Sequence, residues 1–143
     1  MTNSAQQGRR PDEVPTRTFD WGTIKWLVTP HLDEGAGLTT GEVIIQPGKG
    51  HDPHVHPAEE EVIYVISGEG EQTVGEDGER FPIREGDAVY IPANTLHSTY
   101  NTTWRPLRLV VVYTPGGAET GLDALPDAKI LQPGTAPLWT QAN

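Results

Sequence analysis

The sequence contains no cysteine. Disulfides, thiolate metal sites and a cysteine nucleophile are therefore excluded. Positive charge is also scarce: 10 Lys+Arg stand against 20 Asp+Glu, a formal net charge of −10. An acidic surface repels polyanions, so neither nucleic acid nor an anionic membrane is expected as a partner. No run approaches the ~20 apolar residues of a membrane span. The opening residues Met1 to Gln7 lack the apolar core of a signal peptide, so the expected location is cytoplasmic. Hydrophobic residues make up only 35%, but 16 Gly and 13 Pro assign that shortage to turns and tails rather than to global disorder. The 143 residues suit one domain with one core.

What is present is a series of short β-prone runs broken by Gly, Pro and Asp. Residues 1–18 are polar, without an apolar period, and are expected to form a flexible N-terminal arm. Thr23 to Val28, Leu38 to Gln46, Glu61 to Ile66, Glu71 to Val74, Phe81 to Ile83, Ala88 to Ile91, His97 to Asn101 and Leu107 to Tyr113 then follow with turn signals between them. Such spacing predicts an all-β sandwich or barrel over residues 19–116. Residues 117–143 form a C-terminal extension, in which Pro126 limits any helix to about one turn and Leu138-Trp139 are candidates to pack on the barrel.

The chemistry is concentrated between Gly48 and Glu61. Side chains alternate along a strand, so His54 and His56 share a side, and Pro57 ends that strand. In the next strand Glu61, Ile63 and Val65 share a face. If Ile63 and Val65 point inward, Glu61 joins the two imidazoles at the barrel mouth. Two imidazoles and a carboxylate converging on a buried point suit a metal ion. Glu59 and Glu60 are rivals to Glu61 should the turn after His56 be shorter. Further on, a tight turn containing Asn94, a residue that tolerates a left-handed backbone, leads to His97.

These residues resemble the cupin superfamily. Its first motif, Gly-x5-His-x-His-x3–4-Glu-x6-Gly, is matched by Gly48, His54, His56, Glu61 and Gly68. Its second, Gly-x5-Pro-x-Gly-x2-His-x3-Asn, is matched by Gly86, Pro92, His97 and Asn101, with Asn94 in place of the usual Gly. The resemblance implies a double-stranded β-helix, a jelly-roll-like barrel. It further implies one divalent transition metal (Fe, Mn, Ni or Zn) held by His54, His56, Glu61 and His97. A homodimer is implied as well, with the β-prone segment Ile24 to Val28 a candidate for subunit pairing.

Three neutral imidazoles and one carboxylate leave an octahedral ion with open positions, and such an ion acts as a Lewis acid toward an oxygen-chelating small molecule. The leading expectation is a metal-dependent dioxygenase. The alternatives are a non-redox isomerase, decarboxylase or lyase on a sugar or oxoacid derivative, and a binding cupin without turnover. Glu61 or Glu60 is expected to act as the base. His51 and Asp52 are read as a mouth histidine and a turn acid, and His31 as a surface residue. Arg105 and Arg108 are read as surface charges beside a strand, although either would hold a substrate carboxylate if it reached the pocket.

Overall fold

The computed structural model describes residues 8–137. Eleven strands run β1 (Thr16–Phe19), β2 (Gly22–Val28), β3 (Thr39–Ile45), β4 (Gly50–His54), β5 (Glu60–Ser67), β6 (Glu69–Val74), β7 (Phe81–Arg84), β8 (Ala88–Ile91), β9 (His97–Tyr100), β10 (Leu107–Thr114) and β11 (Lys129–Leu131). A 3-10 turn at Pro11–Glu13 and one short helix, α1 (Glu119–Asp123), complete the described elements. The strands form a seven-stranded sheet, β11-β1-β2-β3-β10-β5-β8, and a four-stranded sheet, β4-β9-β6-β7. Every pairing is antiparallel. This is the all-β double-stranded β-helix that the resemblance implies.

Period-two alternation builds the core. On β5, Glu61, Ile63 and Val65 are buried while Glu60, Val62 and Tyr64 are exposed. On β10, Leu107, Leu109, Val111 and Tyr113 face the same interior. Ile24 and Trp26 of β2, Val43 and Ile45 of β3, and Val89 and Ile91 of β8 join them in one cluster. Each such aliphatic side chain contributes about 1.5–3 kcal/mol on burial, so the large sheet carries most of the stability. The inner face of the small sheet is polar by contrast, with His97, Thr99 and Gln72 all buried.

The large sheet reaches beyond residues 19–116 at both ends. Thr16–Phe19 pairs with β2, and Lys129–Leu131 pairs with Thr16–Thr18, so parts of the expected arm and extension lie in the sheet. In β11 Lys129 and Ile130 are both exposed, which leaves no alternation to read. Leu122 of α1 and Ala118 add to the core. Within its own sheet the Ile24 to Val28 segment pairs along one edge with β3, whereas on the other edge β1 reaches only Ile24. Residues 1–7 of the arm and the Leu138-Trp139 contact lie outside the described residues. Among the described residues no helix is long and apolar enough to cross a membrane.

Among the turns with a left-handed backbone, those at Gly68 and Asn94 bear on the site. Gly68 has φ +91, and a Cβ there would meet the Pro106 carbonyl oxygen at 2.6 Å, so only glycine fits between β5 and β6. Asn94 has φ 57, the left-handed conformation foreseen from its residue type. Its amide donates to the His56 carbonyl oxygen at 2.9 Å, tying the loop that carries His56 to the turn that delivers His97.

Candidate metal centre

Cross-strand pairing assembles the site. His54 on β4 sits opposite His97 on β9, and His51 sits opposite Thr99. A register shift between His51 and His54 turns both imidazoles to the inner face, although three positions of regular strand would have opposed them. The strand ends at His54, before Pro57, and His56 follows in the loop. From the large sheet, Glu61 on β5 pairs with Tyr113 on β10. The ligand nitrogens of His54, His56 and His97 all lie within 4.8 Å of one another. Glu61 Oε1 is 3.0 Å from His97 Nε2 and 3.6 Å from His56 Nε2.

The hydrogen bonds around this cluster show what it lacks. His54 Nδ1 lies 2.8 Å from the Asp52 carbonyl oxygen, and His97 Nδ1 lies 2.8 Å from the Thr95 carbonyl oxygen. A carbonyl only accepts, so each Nδ1 carries the proton and each Nε2 presents a bare lone pair. His56 Nε2, His97 Nε2 and Glu61 Oε1 are buried without a hydrogen-bond partner. Leaving a buried polar atom unpaired costs about 1–3 kcal/mol, and here three such atoms face one another. A divalent cation satisfies all of them at once, so the three histidines fit a metal ion.

Electrostatics agree with that donor set. Burial, reinforced by neighbouring imidazoles, pushes His54 down to about 4 and His56 down to about 3. Both therefore stay neutral at physiological pH, as ligation requires. His51 is likewise pushed down to about 3, first by burial and then by the other histidines. Burial raises the Tyr113 phenol well above its ordinary value, and the adjacent Glu61 carboxylate, toward which its hydroxyl is hydrogen-bonded, raises it further. The Tyr113 ring also packs edge-on against His56, with centroids 5.0 Å apart.

The other candidates lie elsewhere. Glu60 is exposed on the outer face of β5, and its carboxylate accepts the Tyr90 hydroxyl at 2.5 Å. Strand alternation thus carries it away from the histidines, leaving Glu61 as the carboxylate of the cluster. Glu59 is half-buried in the loop before β5. Asp52 is exposed and contributes its backbone carbonyl to His54. His31 is exposed. Arg108 pairs with Glu42 at 2.7 Å, and Arg105 stacks over Trp104 outside the cavity.

His51 departs from the reading as a mouth histidine. It lines the internal cavity, with its ring 3.9 Å from that of His54 and 5.1 Å from that of Trp21. The bulge that turns it inward leaves no mark in the spacing of residue types. Thr99 and Tyr113 also line this cavity, together with Ile63, Leu109 and Val111. Its volume is about 30 Å³, space on the order of one or two small ligand atoms beside the donors.

Residues 41–113 match the family model described as "Cupin domain". The chain is 32% identical over 101 residues to the uncharacterized protein MJ1618 of Methanocaldococcus jannaschii, covering 71% of this chain and 79% of that one. It is 33% identical over 94 residues to the polyketide synthase CurC of Streptomyces cyaneus, covering 66% of this chain and 60% of that relative. Quercetin 2,3-dioxygenase of Bacillus subtilis is 31% identical over 83 residues, which span 54% of this chain and 24% of that enzyme. Among solved structures, the oxalate decarboxylase of Lactobacillus farciminis superposes with a TM-score of 0.68 at 23% identity, over 74% of this chain and 32% of that one.

Proposed function

Because the chain belongs to the cupin family, we propose that it is a metal-dependent enzyme acting on a small oxygen-chelating molecule. Dioxygenase chemistry is the leading reading. His54, His56, His97 and Glu61 would hold the ion. The observation that carries the proposal is the convergence of three buried, unpartnered donor atoms, His56 Nε2, His97 Nε2 and Glu61 Oε1. Similarity to quercetin 2,3-dioxygenase over about half of this chain supports the oxidative reading.

When bound, the ion would supply Lewis acidity, lowering the pKa of a ligand hydroxyl or enol. The protein contributes the rest. The carbonyls of Asp52 and Thr95 fix the His54 and His97 tautomers. Glu61 would be the carboxylate that takes a proton from the ligand, with the Tyr113 hydroxyl hydrogen-bonded to it. The apolar wall of Ile63, Leu109 and Val111 limits bulk water.

The alternative is a non-redox reading, as a decarboxylase, isomerase or lyase on a sugar or oxoacid derivative. Metal analysis of protein purified without added metal, followed by oxygen-electrode assays on chelating substrates, tests these readings. A dioxygenase consumes O₂ in step with substrate, whereas the alternative turns over anaerobically. Recovery of every ligand unchanged under both conditions would leave a binding protein. Failure to retain Mn²⁺, Fe²⁺, Ni²⁺ or Zn²⁺ in one equivalent would remove the proposal.

A further inference from the structure

The walls of the cavity beside the histidines differ in how firmly they are held. Ile24, Val43, Ile63, Leu109 and Val111 line it from strand positions paired on both flanks. Displacing any of them would break a ladder of backbone hydrogen bonds. Trp21 lies in the turn between β1 and β2, where its ring stacks on Phe19 with centroids 4.9 Å apart and its carbonyl accepts the Gln46 amide at 2.9 Å. Leu122 is held differently. Among the described residues lining the cavity it alone belongs to a helix, α1. The backbone hydrogen bonds around it stay within the segment, from Thr120 to Gly117, Leu125 to Leu122 and Ala128 to Leu125. Side chains tether the helix to the large sheet: Glu119 Oε1 accepts the Thr39 hydroxyl at 2.7 Å, while Asp123 accepts the Trp26 indole N–H at 3.2 Å and pairs with Arg17 at 3.2 Å.

With Leu122 in place the cavity measures about 30 Å³, room for the ligating atoms of a molecule and not for its body. A chelating molecule that enters the barrel therefore has to displace part of the wall. The part that gives way at least cost is α1, which hangs on side-chain bonds and can open locally without unpairing a strand. From this we infer that Leu122 is a specificity-determining residue, a plug whose place the body of the ligand takes as α1 moves aside. The rest of that wall carries Ile24, Val43 and Val111 and, among the described residues, no lysine or arginine. The ligand class is then a chelating head on a compact, uncharged apolar body, and a polyhydroxylated or multiply charged body is selected against because its polar groups would be desolvated without partners.

This inference rests on the metal-binding reading above, and the test separates the two. The full-length protein is loaded with Co²⁺, and ligand binding is followed through the visible absorption of the ion. The probes are acetohydroxamate and benzohydroxamate, the same chelating head on a small and on a large apolar body. In Leu122→Ala the dissociation constant of benzohydroxamate is expected to fall at least about tenfold relative to that of acetohydroxamate, the scale on which an apolar pocket discriminates a methylene. A merely structural role for Leu122 would weaken both ligands alike and leave the ratio where it was. Leu122→Met, which nearly conserves volume, is expected to keep the wild-type ratio. Asp123→Ala retains Leu122 but removes the tether to Trp26 and Arg17, so benzohydroxamate is expected to associate several-fold faster than with the wild type. A wild-type ratio in Leu122→Ala overturns the inference while leaving the metal site standing. Should that variant not fold, a wild-type association rate in Asp123→Ala does the same. Absence of stoichiometric Co²⁺ in the wild type overturns both.

Discussion

Replacing His97 with alanine removes an imidazole that faces Glu61 at 3.0 Å and is fixed from behind by the Thr95 carbonyl. Removing His54 takes away its cross-strand partner. Neither side chain belongs to the apolar cluster that holds the sheets together. His54→Ala and His97→Ala are each expected to lose most bound metal in equilibrium dialysis while keeping the far-ultraviolet spectrum of the wild type. Stoichiometric metal in either variant would contradict the ligand set. The two neighbouring acids make a sharper comparison. Glu61→Gln, changed at a buried atom without a hydrogen-bond partner, is expected to weaken metal binding by at least about tenfold, as loss of one ligand does. Glu60→Gln, changed on the outer face beside Tyr90, is expected to leave it unaltered. Equal effects in the two variants would mean that β5 sits in the other register.

Strand β5 was legible because its alternation is strict: Glu61, Ile63 and Val65 inward, Val62 and Tyr64 outward. The same period located β3, β8 and β10. It did not reveal that His51 faces inward, since the β4 bulge inverts the parity between His51 and His54. Nor did it reveal the pairing of Glu61 with Tyr113, because register between distant strands is set by the assembled sheet. Short β1 and β11 escaped because three or four residues with mixed burial carry no periodic signal. The turn before β9 was legible from one residue, Asn94, and it has a measurable consequence. Alanine at its φ of 57 costs about 1 kcal/mol, whereas glycine adopts that conformation freely. Asn94→Ala is therefore expected to lower the urea midpoint, and Asn94→Gly to leave it nearly unchanged. Through the bond from the Asn94 amide to the His56 carbonyl, the alanine variant should also bind metal more weakly. A wild-type urea midpoint for Asn94→Ala would argue against the left-handed turn.

At the scale of the whole molecule, the clustering of imidazoles links stability to both acid and metal. In the folded, metal-stripped protein His51 and His56 are held down to about 3 and His54 to about 4, against 6.5 for a free histidine. Below 6.5 the unfolded chain takes up protons that the folded chain refuses, so acid favours unfolding. Stability from this source is fully present above pH 6.5 and is lost progressively as the pH falls toward the folded values. The loss begins between pH 6.5 and 5, above the range in which ordinary carboxylates titrate. Calorimetry of the stripped protein should therefore show the melting temperature falling across that interval. A divalent ion occupies the same lone pairs and binds the folded chain, so at pH 7.5 a hundredfold excess over its dissociation constant should add about 2.7 kcal/mol. That increment should shrink as protons compete for the ligands in acid. A melting temperature independent of pH between 6.5 and 5 in the stripped protein would mean that the imidazoles are solvated and separated, and the cluster that organises the small sheet would not exist in solution.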